Sequence, residues 1–106
     1  MTEKCLIGSL HDFPQGEVRA SMLADGTVVA VFNVEGNVYV TADRCTHGEA
    51  SLSDEGKLCG RLVECPWHYG TFDVTTGAPV GLPCSVALKT YAVTLEGNDV
   101  YAQDVA

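Results

Sequence analysis

Basic residues are scarce in this chain. Six Lys and Arg stand against 14 Asp and Glu, a formal charge of −8 over 106 residues. Phosphate recognition needs clustered Lys and Arg, so nucleic acid is excluded as a partner class. Long apolar runs are missing as well, and none approaches the length of a membrane-crossing helix. The N-terminal stretch MTEKCLIGS lacks a charged region followed by a long apolar one, so no secretory signal and no membrane association are expected. A cytoplasmic location is the expectation, and disulfides are not expected there. Five cysteines then point to metal ligation for some and plain burial for the others. Catalytic signatures are absent too: there is no P-loop, no G-x-G-x-x-G opening a helix, and no Ser/His/Asp set with a spare histidine.

Helical stripes are also lacking, and what is there is β periodicity. Val28 to Val34 (VVAVFNV) is a β-branched apolar run, and Asn37 to Thr41 is its expected partner across a Glu-Gly turn. Thr90 to Leu95 and Asp99 to Ala102 repeat the arrangement around Glu96-Gly97-Asn98. The likeness of VEGNVYV to LEGNDVYA reads as two hairpins under the same turn rules. Further strands are expected at Lys4–Ile7, Glu17–Leu23, Leu62–Glu64 and Thr71–Val74, and at most one short helical turn within Ala50–Gly60. Eleven glycines and four prolines at close intervals suit an all-β antiparallel sandwich or barrel. The chain is expected to be one domain, 1–106, in which about 43–85 forms a loop-rich, site-bearing subdomain set into the β base.

Residues 45 to 72, CTHGEASLSDEGKLCGRLVECPWHYGTF, hold the chemistry. Cys45 and His47 form a C-x-H pair, Cys65 and His68 a C-x2-H pair, and seventeen residues separate the pairs. Thiolate and imidazole together suit Zn or Fe. Zinc sites usually pair like with like, in C-x2-4-C and H-x3-5-H knuckles. A one-residue C-x-H gap fits that habit poorly. If the members of each pair serve different metal atoms, the spacing makes sense: two loops would pinch a two-metal cluster, with thiolates on one iron and imidazoles on the other.

The elements CTH at 45–47 and CPWH at 65–68 resemble the Rieske iron–sulfur motif C-x-H-x(15–17)-C-x2-H. The flanking HGEASLSDEG and HYGTFDVTTG are similar to the small Rieske ferredoxins of aromatic-ring dioxygenase systems, and the likeness runs from Phe13-Pro14-Gln15-Gly16-Glu17 to the last hairpin. The resemblance implies a Rieske fold and one [2Fe–2S] cluster, with Cys45 and Cys65 on the inner iron and His47 and His68 on the outer iron. It also implies a role: a soluble, monomeric one-electron carrier between a flavin-dependent NAD(P)H reductase and a terminal Rieske oxygenase, in aromatic hydrocarbon catabolism. Two other readings are a small Rieske subunit of another oxidoreductase, of the nitrite-reductase type, and a structural zinc adaptor module.

Departures from the respiratory-complex Rieske proteins carry information. Those proteins join the two ligand loops by an extra disulfide, at positions matched here by Ala50 and Trp67. They also place serine and tyrosine hydroxyls near the cluster sulfurs, where this chain has Gly70 and Phe72. Fewer hydrogen bonds to sulfur leave the added electron less stabilised, so the resemblance implies a potential low in the range of about −150 to +300 mV.

The remaining cysteines, Cys5, Cys59 and Cys84, are expected to pack as small hydrophobes. Cys84 follows Gly81-Leu82-Pro83, which resembles the family's proline loop beside the cluster. Trp67 and Phe72 read as apolar shields, and His11 as a solvated turn residue. Glu49, Asp54 and Glu55 form either a solvated face or a docking surface, and Arg44 and Arg61 are expected to pair with nearby acids. No second, mononuclear iron site can be assembled from the one histidine left over, so oxygen activation belongs on another protein.

Overall fold

The computed structural model describes residues 3–44, 51–65, 70–81 and 86–104. They form ten strands, β1 (Cys5–Ser9), β2 (Val18–Met22), β3 (Val28–Val34), β4 (Asn37–Ala42), β5 (Lys57–Cys59), β6 (Leu62–Cys65), β7 (Gly70–Asp73), β8 (Pro79–Gly81), β9 (Thr90–Glu96) and β10 (Asp99–Gln103). One helical turn, α1 (Leu52–Glu55), and a 3-10 turn over Leu10–Asp12 complete the elements. The all-β expectation holds. The segment after Asp43, expected to be loop-rich apart from strands at Leu62–Glu64 and Thr71–Val74, carries a four-stranded antiparallel sheet in the order β5-β6-β7-β8. Its outer strands, of three residues each, are too short for period-2 alternation to stand out in the sequence.

The other sheet is antiparallel, in the order β1-β10-β9-β4-β3-β2. It curls until its edges approach, and Ser21 Oγ of β2 donates to the Ile7 carbonyl of β1 at 2.6 Å. Pairing of β1 with β10 skips Ile7, a bulge of the kind that sharpens strand curvature.

Two hairpins set this sheet, and the structure separates them. Val34 pairs with Asn37, so Glu35 and Gly36 form a two-residue loop with φ of 54° and 93°. This is the both-positive signature of a type I′ turn. In the second hairpin Glu96 pairs with Asp99, so the loop is Gly97-Asn98, with only Gly97 at positive φ. The inserted Asp99 moves the turn by one residue. Asn33 braces the first hairpin: its Nδ2 donates to the Phe13 carbonyl at 2.7 Å, and its Oδ1 accepts from Gly36 N at 2.8 Å.

Burial explains the unbroken apolar run of β3. Val29 and Val31 face the barrel interior with Ile7, Val40, Tyr91 and Val100. Ala30 and Phe32 face outward, against Leu52 of α1 and Val63, Cys65 and Phe72 of the small sheet. All four β3 residues are fully buried. A strand covered on both faces reads as a continuous hydrophobic run, as VVAVFNV does.

Candidate metal centre

The described residues flanking 45–50 and those flanking 66–69 lie close together in pairs. Arg44 and Ser51 face each other as an antiparallel bridge. Cys65 and Gly70 are the last register pair between β6 and β7. Thr71 pairs with both Glu64 and Gly81, which places the end of β8 at the same end of the small sheet as Cys65. Leu52, the second residue after 45–50, belongs to the same packed cluster as Cys65. The residues flanking 45–50 and 66–69 therefore meet on one apolar wall.

Of the four residues expected as ligands, Cys65 is described. Cys45, His47 and His68 lie outside the described residues, as do Glu49, Ala50, Trp67 and Cys84. Cys65 is fully buried in the cluster that holds Leu52, Val63 and Phe72. A thiol on a dry wall at the neck of a hairpin fits an iron–sulfur group, whose potential depends on solvent exclusion and on hydrogen bonding to its sulfurs. Phe72 is fully buried as well, consistent with its expected part in shielding.

The first neck is held by side chains. Asp43 follows β4, and its carbonyl accepts from Leu52 N at 2.7 Å. Its Oδ2 accepts from Ser51 Oγ at 2.6 Å, and its Oδ1 accepts from Ser53 N at 2.8 Å. Ser51 caps α1 in turn, accepting from Asp54 N at 3.3 Å. Asp43 did not stand out in the sequence, because its contacts reach across eight and ten residues and leave no local pattern.

A second carboxylate orders the turn that leads into β8. Asp73 Oδ1 accepts from Thr75 Oγ1 at 2.6 Å and from Thr75 N at 2.9 Å, while Arg61 Nε lies 3.2 Å from Oδ2. The Thr75 hydroxyl, helped by the Thr75 amide and Arg61, holds the Asp73 carboxyl below the ordinary carboxylate range against the opposing effect of burial. Arg61 thus pairs with an acid as expected. Asp54 and Glu55 are exposed, and so is His11 in its 3-10 turn.

The other cysteines divide. Cys5 is half-buried and packs against the barrel core. Cys59 corrects the expectation of a packed thiol. It is exposed, because it sits on edge strand β5 one residue before the Gly60-Arg61 turn.

Comparison with known proteins agrees with this arrangement. The family model of the Rieske [2Fe-2S] domain matches residues 3–92. The ferredoxin component of the p-cumate 2,3-dioxygenase system of Pseudomonas putida is 42% identical over 101 residues, covering 95% of this chain and 86% of the relative. The structure of the Sphingomonas yanoikuyae B1 ferredoxin superposes with a TM-score of 0.89 at 40% identity, covering 95% of this chain and 98% of the other. A solved complex of reduced oxygenase and oxidized ferredoxin in carbazole 1,9a-dioxygenase contains a chain 38% identical, with a TM-score of 0.87, covering 95% of this chain and 93% of that one. With the buried Cys65 at its hairpin neck and these matches along nearly its whole length, the chain belongs to the Rieske [2Fe–2S] domain family.

Proposed function

We propose that this chain is the ferredoxin of an aromatic-ring dioxygenase system, a cytoplasmic monomer that carries one electron at a time. It receives electrons from a flavin-dependent NAD(P)H reductase and passes them to a terminal Rieske oxygenase. The observation that carries the reading is the dry position of Cys65 in a chain whose relatives are ferredoxin components of such systems.

Cys45 and Cys65 are the thiolates assigned to the inner iron, and His47 and His68 the imidazoles assigned to the outer iron, within a cluster-binding part spanning about 43–85. When bound, the [2Fe–2S] group supplies a one-electron couple. The chain's own residues hold and insulate it. Leu52, Val63 and Phe72 keep water from the Cys65 sulfur. Gly70, paired with Cys65, brings no hydroxyl toward it. Each ligating imidazole holds a proton on the nitrogen facing away from the metal, which gives a partner protein a hydrogen-bond donor. The acids Asp54 and Glu55 on α1 stand exposed beside the first neck and give that face a charge complementary to basic patches on those partners.

Purified protein should be red-brown, and its reduced form should give an anisotropic electron-spin-resonance signal. Oxygenase turnover with NAD(P)H and a reductase should depend on added chain. A colourless protein holding one zinc overturns the reading.

A further inference from the structure

The two ligand loops of the proposed carrier are closed by different means. Residues 66–69 spring from a regular ladder, in which the pair Cys65–Gly70 is backed by Glu64–Thr71 and Val63–Phe72. Residues 45–50 spring from an isolated bridge, Arg44–Ser51, outside the named strands. An isolated bridge lacks the flanking pairs that make a ladder rigid. Here the missing pairs are replaced by one residue, through its carboxylate and its carbonyl. Asp43 takes Ser51 Oγ on one carboxylate oxygen and Ser53 N on the other, while its carbonyl takes Leu52 N. These contacts fasten the residue before Arg44 to the three residues that follow 45–50. Leu52, the middle one, is fully buried beside Cys65. Asp43 is only half-exposed, so its charged hydrogen bonds are partly shielded from competing water.

We propose that Asp43 is a positioning residue for the cluster: acting through Ser51 and Ser53, it fixes the two ends of the loop that carries Cys45 and His47. Its carboxylate oxygens are engaged by Ser51 and Ser53, so its role is to position and not to ligate. The inference rests on the carrier reading. It makes retention of iron on the 45–50 side depend on a side-chain latch, whereas the 65–70 side depends on backbone pairing.

The test compares the holoprotein with D43A, D43N, S51A and the control N33A. Asn33 also makes two hydrogen bonds through its side chain, but at the opposite end of the β3–β4 hairpin. Three readouts apply: the rate at which an iron chelator bleaches the visible absorbance, the electron-spin-resonance line shape after reduction, and the far-ultraviolet melting curve. D43A should bleach at least tenfold faster than the parent chain and show an altered line shape. S51A should fall between them. D43N should recover part of the loss, because its remaining oxygen still accepts from Ser53 N. N33A should lower the melting midpoint while bleaching within twofold of the parent. If D43A fails to fold, D43N and S51A decide by the same criteria. Bleaching of the Asp43 and Ser51 variants within twofold of the parent, or equal acceleration in N33A, overturns the inference alone. A parent chain that takes up no iron overturns the carrier reading itself.

Discussion

Leu88 N donates to the carbonyl of Gly77 at 2.8 Å, and a Cβ built on Gly77 would fall 2.3 Å from the Leu88 carbonyl oxygen. The pair clamps the β7–β8 turn to the chain entering β9, and Leu88 is buried in the same cluster as Cys65. Gly77 also has φ +79°. Gly77→Ala therefore meets both a backbone clash and the cost of a left-handed residue, about 1–2 kcal/mol for the conformation alone. The melting midpoint should fall by about 10 °C or more, since 1 kcal/mol corresponds to roughly 4–8 °C in a domain of this size. A thermal melt showing a drop under about 4 °C would refute the clamp.

Asp73 makes stability depend on pH in a defined direction. Its carboxyl is held low in the folded chain, chiefly by the Thr75 hydroxyl. A depressed carboxyl contributes fully above its unfolded value of about 4, and the contribution is lost as pH falls through the lower folded value. Urea midpoints measured between about pH 5 and pH 2 should fall more steeply for the parent than for Asp73→Asn. Parallel curves would show that Asp73 is not a source of the acid sensitivity.

Glu35 is the only non-glycine at positive φ among the described residues, at 54° in the first position of its I′ turn. Asn is favoured there and Glu is not. Glu35→Asn should stabilise the chain by about 0.5–1 kcal/mol, raising the melting midpoint by a few degrees with the visible spectrum unchanged. An unchanged or lower midpoint would count against this assignment of the turn.

Phe72 lies buried in the cluster of Cys65 and has no hydroxyl to offer a sulfur. The parent should titrate below about +100 mV, in the lower part of the Rieske range. Phe72→Tyr places a donor on this wall. One added hydrogen bond of about 0.5–1.5 kcal/mol corresponds to roughly 20–60 mV upward for a one-electron couple. A redox titration in which the variant matches the parent would mean that the hydroxyl does not reach a sulfur.

The strands of the large sheet were legible because their signals are local. β3 and β4 lie where the apolar run and the Glu-Gly turn put them, and β9 and β10 lie where expected with the turn one residue later. The small sheet was half legible. β6 contains the expected Leu62–Glu64 and β7 covers the expected Thr71–Val74 as far as Asp73, whereas β5 and β8 are held by pairing to β6 and β7 rather than by any pattern of their own. The ligand motif was visible as spacing. The proposed Asp43 latch was not: its contacts to Ser51 and Ser53 join positions eight and ten residues apart, and ordinary Asp and Ser letters do not announce them. Cys59 was misread because burial is a property of the sheet edge, which composition does not reveal.

The double burial of β3 has a thermodynamic consequence. Val29 and Val31 belong to one core, Ala30 and Phe32 to the other, and they alternate along a single backbone. Opening either core uncovers one face of the strand that walls the other, so the two cores are coupled through β3. A single cooperative unfolding transition is the expected outcome, as for most small domains. Loss of colour on heating would then coincide with loss of the barrel, so the cluster serves as an optical gauge of the whole chain's integrity.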